Sequence, residues 1–447
     1  MRGSFGRAGS VRRDLGVGAP KIARPAQPSL GTQLAENVLD GRDSRLRGAR
    51  ALAMSNRLER TEALVIGGGP VGLFAGLSLV DRGLSVQVLD AEAERLVRGY
   101  ACCLHPGTAR CFDRLGLLPA VLEASHRVDR LAFRHGTREI EVDYARIGGS
   151  YPYALTLRQA DLEQILEAAL EERSAPVNRL QQVVSLEQRD DFVRVTSQPK
   201  LPVLERAAGD PTHRLGGAPV VDDANFVIGA DGYLSICRHA LGIELVDCRP
   251  SKAFAVFEFM ADLDAHEHEA CINFNGGTVS TFWPLGNGVG RWTFEIWEGL
   301  DEAPALEQLQ ELVATRAAWF KPKPEQLCWG AVAQFEHRLA RSFGHSRLWL
   351  AGDAAHTTSP IGFQSMNRGF SEAAALAELM AGALYDEDHR PGRFDRFEQA
   401  QQDEWRRLFG LAAPAGQTMA IAEIAPCLPA SGRELEALAA VLGIRLE

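Results

Sequence analysis

The sequence predicts an α/β fold: a Rossmann-like domain interrupted by an inserted, largely antiparallel β-sheet. Two observations predict it. An apolar strand, Ala63-Leu64-Val65-Ile66, runs directly into Gly67-Gly68-Gly69-Pro70-Val71-Gly72 and a helical stretch. Further along, strand-like runs follow one another from Phe254 to Trp297, between two more Gly/Asp turns at Gly229–Gly232 and Leu350–His356. Nucleotide-type turns on both sides of a run of strands imply a discontinuous first domain with the sheet inserted into it.

Taken in order, residues 1–58 read as a disordered tail or an over-extended start. Residues 1–53 carry nine Arg and Lys21 against Asp14, Glu36, Asp40 and Asp43, with scattered Gly and Pro and no period of 2 or 3.6. Met54 precedes the first strand as a natural start would, and an Arg-rich targeting peptide is the competing expectation. Then come strand 63–66, a helix over 71–82 ended by Gly83, and strand Ser85–Leu89, which make a βαβ unit. Helices are predicted over 107–115 and 158–172, with a sheet-like stretch over 128–144 between them. Residues 198–223, rich in Pro and Gly, read as a surface loop between strands 192–196 and 226–228. Strands at 254–260, 278–283 and 291–297 are joined by turns such as Gly286-Asn287-Gly288. The expected division is a cofactor domain of 59–130, 150–245 and 338–410, a substrate domain of 131–149 and 246–337, and a C-terminal helical segment of 411–447.

The bulk numbers narrow the partners. A chain of 447 residues with 46% apolar content can bury a large core. Its net charge of −10 excludes a phosphate-backbone partner, because that affinity needs clustered Lys and Arg. No stretch of about 18 apolar residues is present to span a membrane. The eight cysteines show no CxxC spacing and read as reduced, mostly buried thiols, in keeping with a cytoplasmic protein. His266-Glu267-His268 lacks helical HExxH spacing and sits among Asp262, Asp264 and Glu269, so it reads as a solvated loop; no metal site is expected.

The first turn carries the most local chemistry. Gly67 permits a tight turn, Gly69 lets the backbone approach a pyrophosphate, and Gly72 lets helix and strand pack closely. Pro70 and Val71 open the helix, whose N-terminus favours phosphate charge. Asp90, 18 positions beyond Gly72 at the end of the next strand, is placed to accept hydrogen bonds from a ribose. A strand that ends in Gly352-Asp353 delivers a carboxylate where the backbone turns away, ready for the hydroxyls of a polyol such as ribitol. That suits FAD better than NAD.

These stretches together resemble the class A flavoprotein monooxygenases, the group that includes para-hydroxybenzoate hydroxylase. Asn225–Gly232 with Ser235 and Arg238 is similar to that family's Asp-Gly motif, and Leu348–His356 with Pro360 to its Gly-Asp motif. The resemblance implies that Asp353 binds the ribityl chain of FAD, that Asp231 and Gly232 touch the cofactor and take part in nicotinamide binding, and that Arg158 and Gln159 lie against the ribityl and phosphate groups. It also implies reduction of FAD by NAD(P)H, reaction with O2 to a flavin C4a-hydroperoxide, and hydroxylation or epoxidation of an aromatic, quinone or polyketide-like small molecule by a monomer or homodimer. The rival on the same scaffold is an FAD protein that does not hydroxylate, a dehydrogenase, reductase or non-redox cyclase.

The chain departs from its family in two places. The usual Pro-x-Gly-Gly-Gln-Gly-x-Asn run stands here as Pro360-Ile361-Gly362-Phe363-Gln364-Ser365-Met366-Asn367, with Arg368 and Glu372 where Leu and Asp are common. Pro360, Gly362, Met366 and Asn367 are expected beside the flavin, in a loop altered by the loss of two glycines that can adopt positive φ. The family's Arg four residues before Leu104 is Tyr100 here, and Arg98 is the nearest substitute. Phe257, Phe259, Phe282, Trp283, Trp292 and Phe294 are candidates for aromatic substrate walls, with Phe257, Phe282 and Trp292 singled out. No acid-base residue stands out, so the catalytic residue is unknown at this level.

Overall fold

The computed structural model describes residues 60–93, 101–200, 215–297, 304–385, 392–411 and 424–443. The expectations for residues 1–58, and for Arg98 and Tyr100, lie outside them.

The βαβ unit is β1 (Thr61–Ile66), α1 (Pro70–Val80) and β2 (Val86–Leu89). Both strands are parallel, with Ile66 opposite Leu89. Helix α1 opens with Pro at its first position, where the missing N–H costs nothing, and buries Leu73 to Leu79 almost without interruption. Helices α2 (Pro106–Arg114) and α3 (Gln159–Glu172) follow within a residue of the expected limits. Strand β3 (Val220–Gly229) is longer than expected, because Val220 to Ala224 pair antiparallel with Ser197 to Val193. The surface loop expected from 198 to 223 is thus shorter on both sides, since backbone pairing overrides the Pro/Gly signal. Among the described residues the first sheet runs Gly344–His345, β9 (Leu348–Leu350), β3, β1, β2, Val177–Asn178, and the hairpin arms Gln181–Gln188 and Val193–Pro199 join it beside β3.

The second sheet is built from β4 (Leu245–Met260), β5 (Glu269–Asn275), β6 (Thr278–Gly286), β7 (Val289–Ile296) and β8 (Gln326–Ala340), in the order β8-β4-β7-β6-β5. Strands Arg130–His135 and Arg138–Asp143 extend it, the first paired parallel with β5. All pairings from β8 to β5 are antiparallel. The two-residue turn Asn287-Gly288 has φ of 52° and 72°, the left-handed pair that a tight hairpin needs.

The two faces of this sheet have different neighbours. Phe254, Ile272, Val279 and Trp283 join the core shared with β1 and α1. Ala255, Phe257, Phe259, Phe282, Trp292 and Phe294 form a second core under α4 (Leu306–Arg316), with Leu309, Val313 and Phe320. Helix α5 (Gln364–Tyr385) packs on α1, and α6 (Arg393–Leu408) and α7 (Arg433–Val441) complete the described helices used below. His266 belongs to a short turn rather than a solvated loop: its ring stacks on Phe320 with centroids 5.2 Å apart and its Nδ1 lies 3.4 Å from a Glu269 oxygen.

A candidate FAD site at three strand ends

The Gly/Asp turns leave three adjacent parallel strands at one level. Ile66 of β1 is opposite Gly229 of β3, and Gly229 is opposite Leu350 of β9. The chain then turns at Gly67, at Ala230-Asp231 and at Ala351-Gly352-Asp353. Cross-links hold the level: Ala230 N–H donates to the Ile66 carbonyl at 2.8 Å and Ala351 N–H to the Gly229 carbonyl at 3.0 Å. The carboxyl ends of parallel strands are where such sheets bind ligands.

Glycine is required at two of these positions for different reasons. Gly67 has φ +109°, and a Cβ there would lie 2.1 Å from the Ala230 carbonyl oxygen, so the first turn and the Asp-Gly turn fit only without a side chain. A Cβ on Gly72 would lie 1.9 Å from the Gly67 oxygen, so α1 could not sit on its strand. Gly69 differs: nothing lies within 4 Å of a Cβ there, which leaves its backbone open to a ligand.

The carboxylates are held differently from one another. Asp90 accepts from the Gly68 N–H and, at 2.6 Å, from the Glu92 N–H, so it braces the glycine turn from below. Asp231 Oδ2 accepts from the Cys237 N–H at 3.1 Å, while its Oδ1 is buried with no hydrogen-bond partner among the described residues. Asp353 is exposed, and its Oδ1 accepts from the Ser365 hydroxyl. A buried acceptor left unsatisfied, an open glycine backbone and an exposed carboxylate at adjacent strand ends fit a ligand with phosphates and many hydroxyls. FAD is such a ligand.

Behind Asp353 the support is fully buried. Gly352 N–H donates to Glu372 Oε2 at 3.0 Å, and His356 Nε2 lies 2.8 and 2.9 Å from the two Glu372 oxygens. Trp405 Nε1 donates to Glu372 at 3.1 Å, and its ring stacks on His356 with centroids 3.9 Å apart. Burial alone would raise the Glu372 pKa, but His356 and the N–H donors outweigh it and hold the carboxyl below its ordinary value. In the sequence Glu372 stands out only as a departure from Asp; its partner sits 16 residues away in the chain, which no local pattern reveals.

The loop from Pro360 to Asn367 turns at Phe363. Phe363 adopts φ +53°, the left-handed conformation a glycine would take easily, so a side-chain-bearing residue carries that turn under strain. Its ring meets Trp283 edge-on at 5.5 Å. Gly362 is buried, its carbonyl accepts from His105 Nε2 at 2.8 Å, and a Cβ on it would lie 2.2 Å from the Pro426 oxygen. His105 Nδ1 lies 3.2 Å from the Ser431 hydroxyl, so the ring donates through Nε2 and accepts through Nδ1. Burial drives its pKa down to about 3, which keeps the ring neutral. Gln364 Nε2 donates to the carbonyls of Leu428 and, at 2.9 Å, Ala430. The C-terminal segment, opaque in the sequence, is therefore a brace for this loop.

Three sets of expected site residues have partners of their own within the protein. Asn367 is fully buried and spends its side chain inside the protein: Oδ1 accepts from His105 N–H (2.8 Å) and Thr108 Oγ1 (2.7 Å), and Nδ2 donates to the Cys103 and Phe363 carbonyls at 2.8 Å. Its side chain shapes the loop and is fully engaged there. Phe257, Phe282 and Trp292 lie in the core under α4, on the face away from the strand-end site; of the six aromatic candidates, Trp283 shares the core with the cofactor-side elements. Gln159 Nε2 donates to Glu163 at 2.8 Å along α3, while Arg158 is exposed at that helix's start. Pro360 and Met366 are half-buried on either side of the Phe363 turn, and Val71 packs against Gly352 and Gly369, which joins α1 to α5 at the site.

The FAD binding domain family model matches residues 60–408. The chain belongs to that family. Para-nitrophenol 4-monooxygenase of Pseudomonas sp. strain WBC-3 is 26% identical over 333 residues, 72% of this chain and 78% of that protein. The 6-methylpretetramide 4-monooxygenase of Streptomyces rimosus is 26% identical over 331 residues, 72% of this chain and 56% of that protein. Among solved structures, p-nitrophenol 4-monooxygenase PnpA from Pseudomonas putida DLL-E4 is 22% identical with a TM-score of 0.64, covering 85% of this chain and 94% of that one, which shows a shared fold. This FAD-binding chain is a class A flavin-dependent monooxygenase with the para-hydroxybenzoate hydroxylase-like fold, and FAD is its cofactor. Among the described residues, no group of three or more His, Cys, Asp and Glu is arranged to hold a metal, and no helix is long and apolar enough to cross a membrane.

Proposed function

We propose that this monooxygenase uses NAD(P)H and O2 to hydroxylate or epoxidise an aromatic, quinone or polyketide-like small molecule, in the cytoplasm and as a monomer or homodimer. The single observation that carries the cofactor half of this reading is the convergence of Gly67, Asp231 and Asp353 at the ends of three neighbouring parallel strands. FAD, when bound, supplies hydride acceptance from the nicotinamide and activation of O2. The chain supplies the rest. Open backbone at Gly69 and the start of α1 receive the phosphates, Asp353 orders the polyol, and the N-terminus of α5 faces the end of the loop with donor-rich backbone.

The substrate half rests on Trp283. Its indole is 1% exposed, it stands edge-on to Phe363, and its Nε1 has no hydrogen-bond partner among the described residues. A flat, oxygenated ring between sheet and loop would stack on apolar surface and accept that N–H. The names of the relatives, which act on nitrophenol and pretetramide substrates, support the same chemical class. The division into a discontinuous cofactor domain and a substrate sheet belongs to this reading, with the face bearing Trp283 turned to the cofactor.

The test is a screen of phenols, quinones and aromatic polyketides for stimulated NAD(P)H oxidation, followed by anaerobic reduction of the bound flavin and exposure to labelled O2. One labelled oxygen atom in the product is the expected result. Flavin that NAD(P)H never reduces, or that reoxidises with every substrate without labelling it, would reject the hydroxylase reading and leave the non-hydroxylating alternative.

A further inference from the structure

We propose that Ser365 is a positioning residue for the cofactor: its hydroxyl fixes the Asp353 carboxylate in the orientation that receives the ribityl chain of FAD. The proposal rests on the reading that Asp353 meets that chain. Asp353 is exposed at the end of its strand, and a free aspartate in such a place samples several rotamers, each of which must be given up on binding. Here the Ser365 hydroxyl donates to its Oδ1. A carboxylate only accepts and a hydroxyl has one proton, so the direction of this bond is fixed by the inventory of donors.

Ser365 is held by its place in the first turn of α5. Its Oγ lies 3.3 Å from His356 Nδ1 and 3.3 Å from the His356 carbonyl, so with its one proton given to Asp353 it rests against the buried histidine by contact. His356, Glu372 and Trp405 are all 0% exposed and are joined by the ring stack and the carboxylate contacts described above. The rigid part of the fold therefore reaches the exposed carboxylate through one side chain. Where the related motif carries glycine no such link exists, so this chain holds its polyol-binding group by a contact of its own. A group ordered before binding costs less to order on binding.

The experiment measures FAD affinity of the apoprotein by flavin fluorescence and calorimetry, with apoprotein melting as a control. Ser365→Ala and Ser365→Gly are expected to weaken FAD binding about three- to tenfold, the range in which one ordering contact falls. Ser365→Thr, which keeps the hydroxyl, is expected to stay within about twofold of the parent, and all three to melt within about 2 °C of it without FAD. Asp353→Asn is expected to weaken binding on its own and to absorb the effect, so that adding Ser365→Ala to it changes nothing further. Parent-like affinity in Ser365→Ala with weakened Asp353→Asn overturns the proposal and leaves the Asp353 reading standing. Independent, additive losses overturn it as well, because the hydroxyl would then act without Asp353. Parent-like affinity in Asp353→Asn overturns both.

Discussion

Arg238 donates one guanidinium N–H to the Ala354 carbonyl at 2.9 Å and another to the Tyr233 carbonyl at 2.7 Å, from a site only 6% exposed. The side chain thereby ties the turn that follows β3 to the turn that follows β9, and with them the two aspartates at the strand ends. Ser235 caps the short helix that carries Arg238 by accepting its N–H at 2.9 Å.

Arg238→Met is therefore expected to destabilise the protein by about 1–3 kcal/mol, because it strands the buried Ala354 carbonyl and breaks the link to the Tyr233 carbonyl. Urea unfolding checks the stability, and FAD titration is expected to show weaker binding in the same variant. Unchanged unfolding would mean that the two turns are held together elsewhere.

Phe363 offers a reversal of a usual order. At an ordinary position Gly is less stable than Ala, but at φ +53° the alanine side chain carries a left-handed penalty that glycine avoids. Both variants lose the Trp283 contact equally. Phe363→Gly is expected to be about 1 kcal/mol more stable than Phe363→Ala in chemical unfolding.

The two sheet faces predict a split between catalysis and stability. Trp283→Leu is expected to raise KM for the best substrate several-fold with a modest stability loss, whereas Phe257→Leu leaves KM near the parent's and lowers stability by about 1 kcal/mol. Steady-state kinetics and thermal melting separate the two. An altered KM from Phe257→Leu would place the substrate on the other face.

Two buried histidines set an acid limit. Burial lowers His105 to about 3 and His337, helped by Arg249 and Lys252, to about 4, both from 6.5. The unfolded chain thus binds protons that the folded chain refuses, so their contribution to stability is complete above pH 6.5 and declines as the pH falls towards those folded values. Unfolding midpoints measured from pH 7.5 to 4.5 are expected to fall with acid, and His105→Gln to flatten that fall.

What the sequence disclosed divides along physical lines. The turns at Gly67 and Gly72 were legible because their glycines answer to backbone sterics within a few residues. The aromatic face was not: Phe282 and Trp283 are neighbours in one strand, both large and both buried, so hydrophobicity carries no parity and only the register against β7 tells which ring points where. Asn367 matched a motif, yet its four hydrogen bonds run to residues near 105 and to its own preceding turn, a role that a motif match leaves open. Glu372 and Ser365 differ from the related pattern, and their meaning emerged only with His356 and Asp353 in place.

The clasp of His105 between Gly362 and Ser431 joins residues 326 positions apart. During synthesis, the loop beside the cofactor therefore lacks its last supports until the segment containing Leu428, Ala430 and Ser431 has left the ribosome. The strand-end turns at Gly67, Asp231 and Asp353 all precede that segment, while the turn at Phe363 is completed by it. Chains truncated before residue 424 are therefore expected to bind flavin more weakly than the full chain, as flavin titration would show.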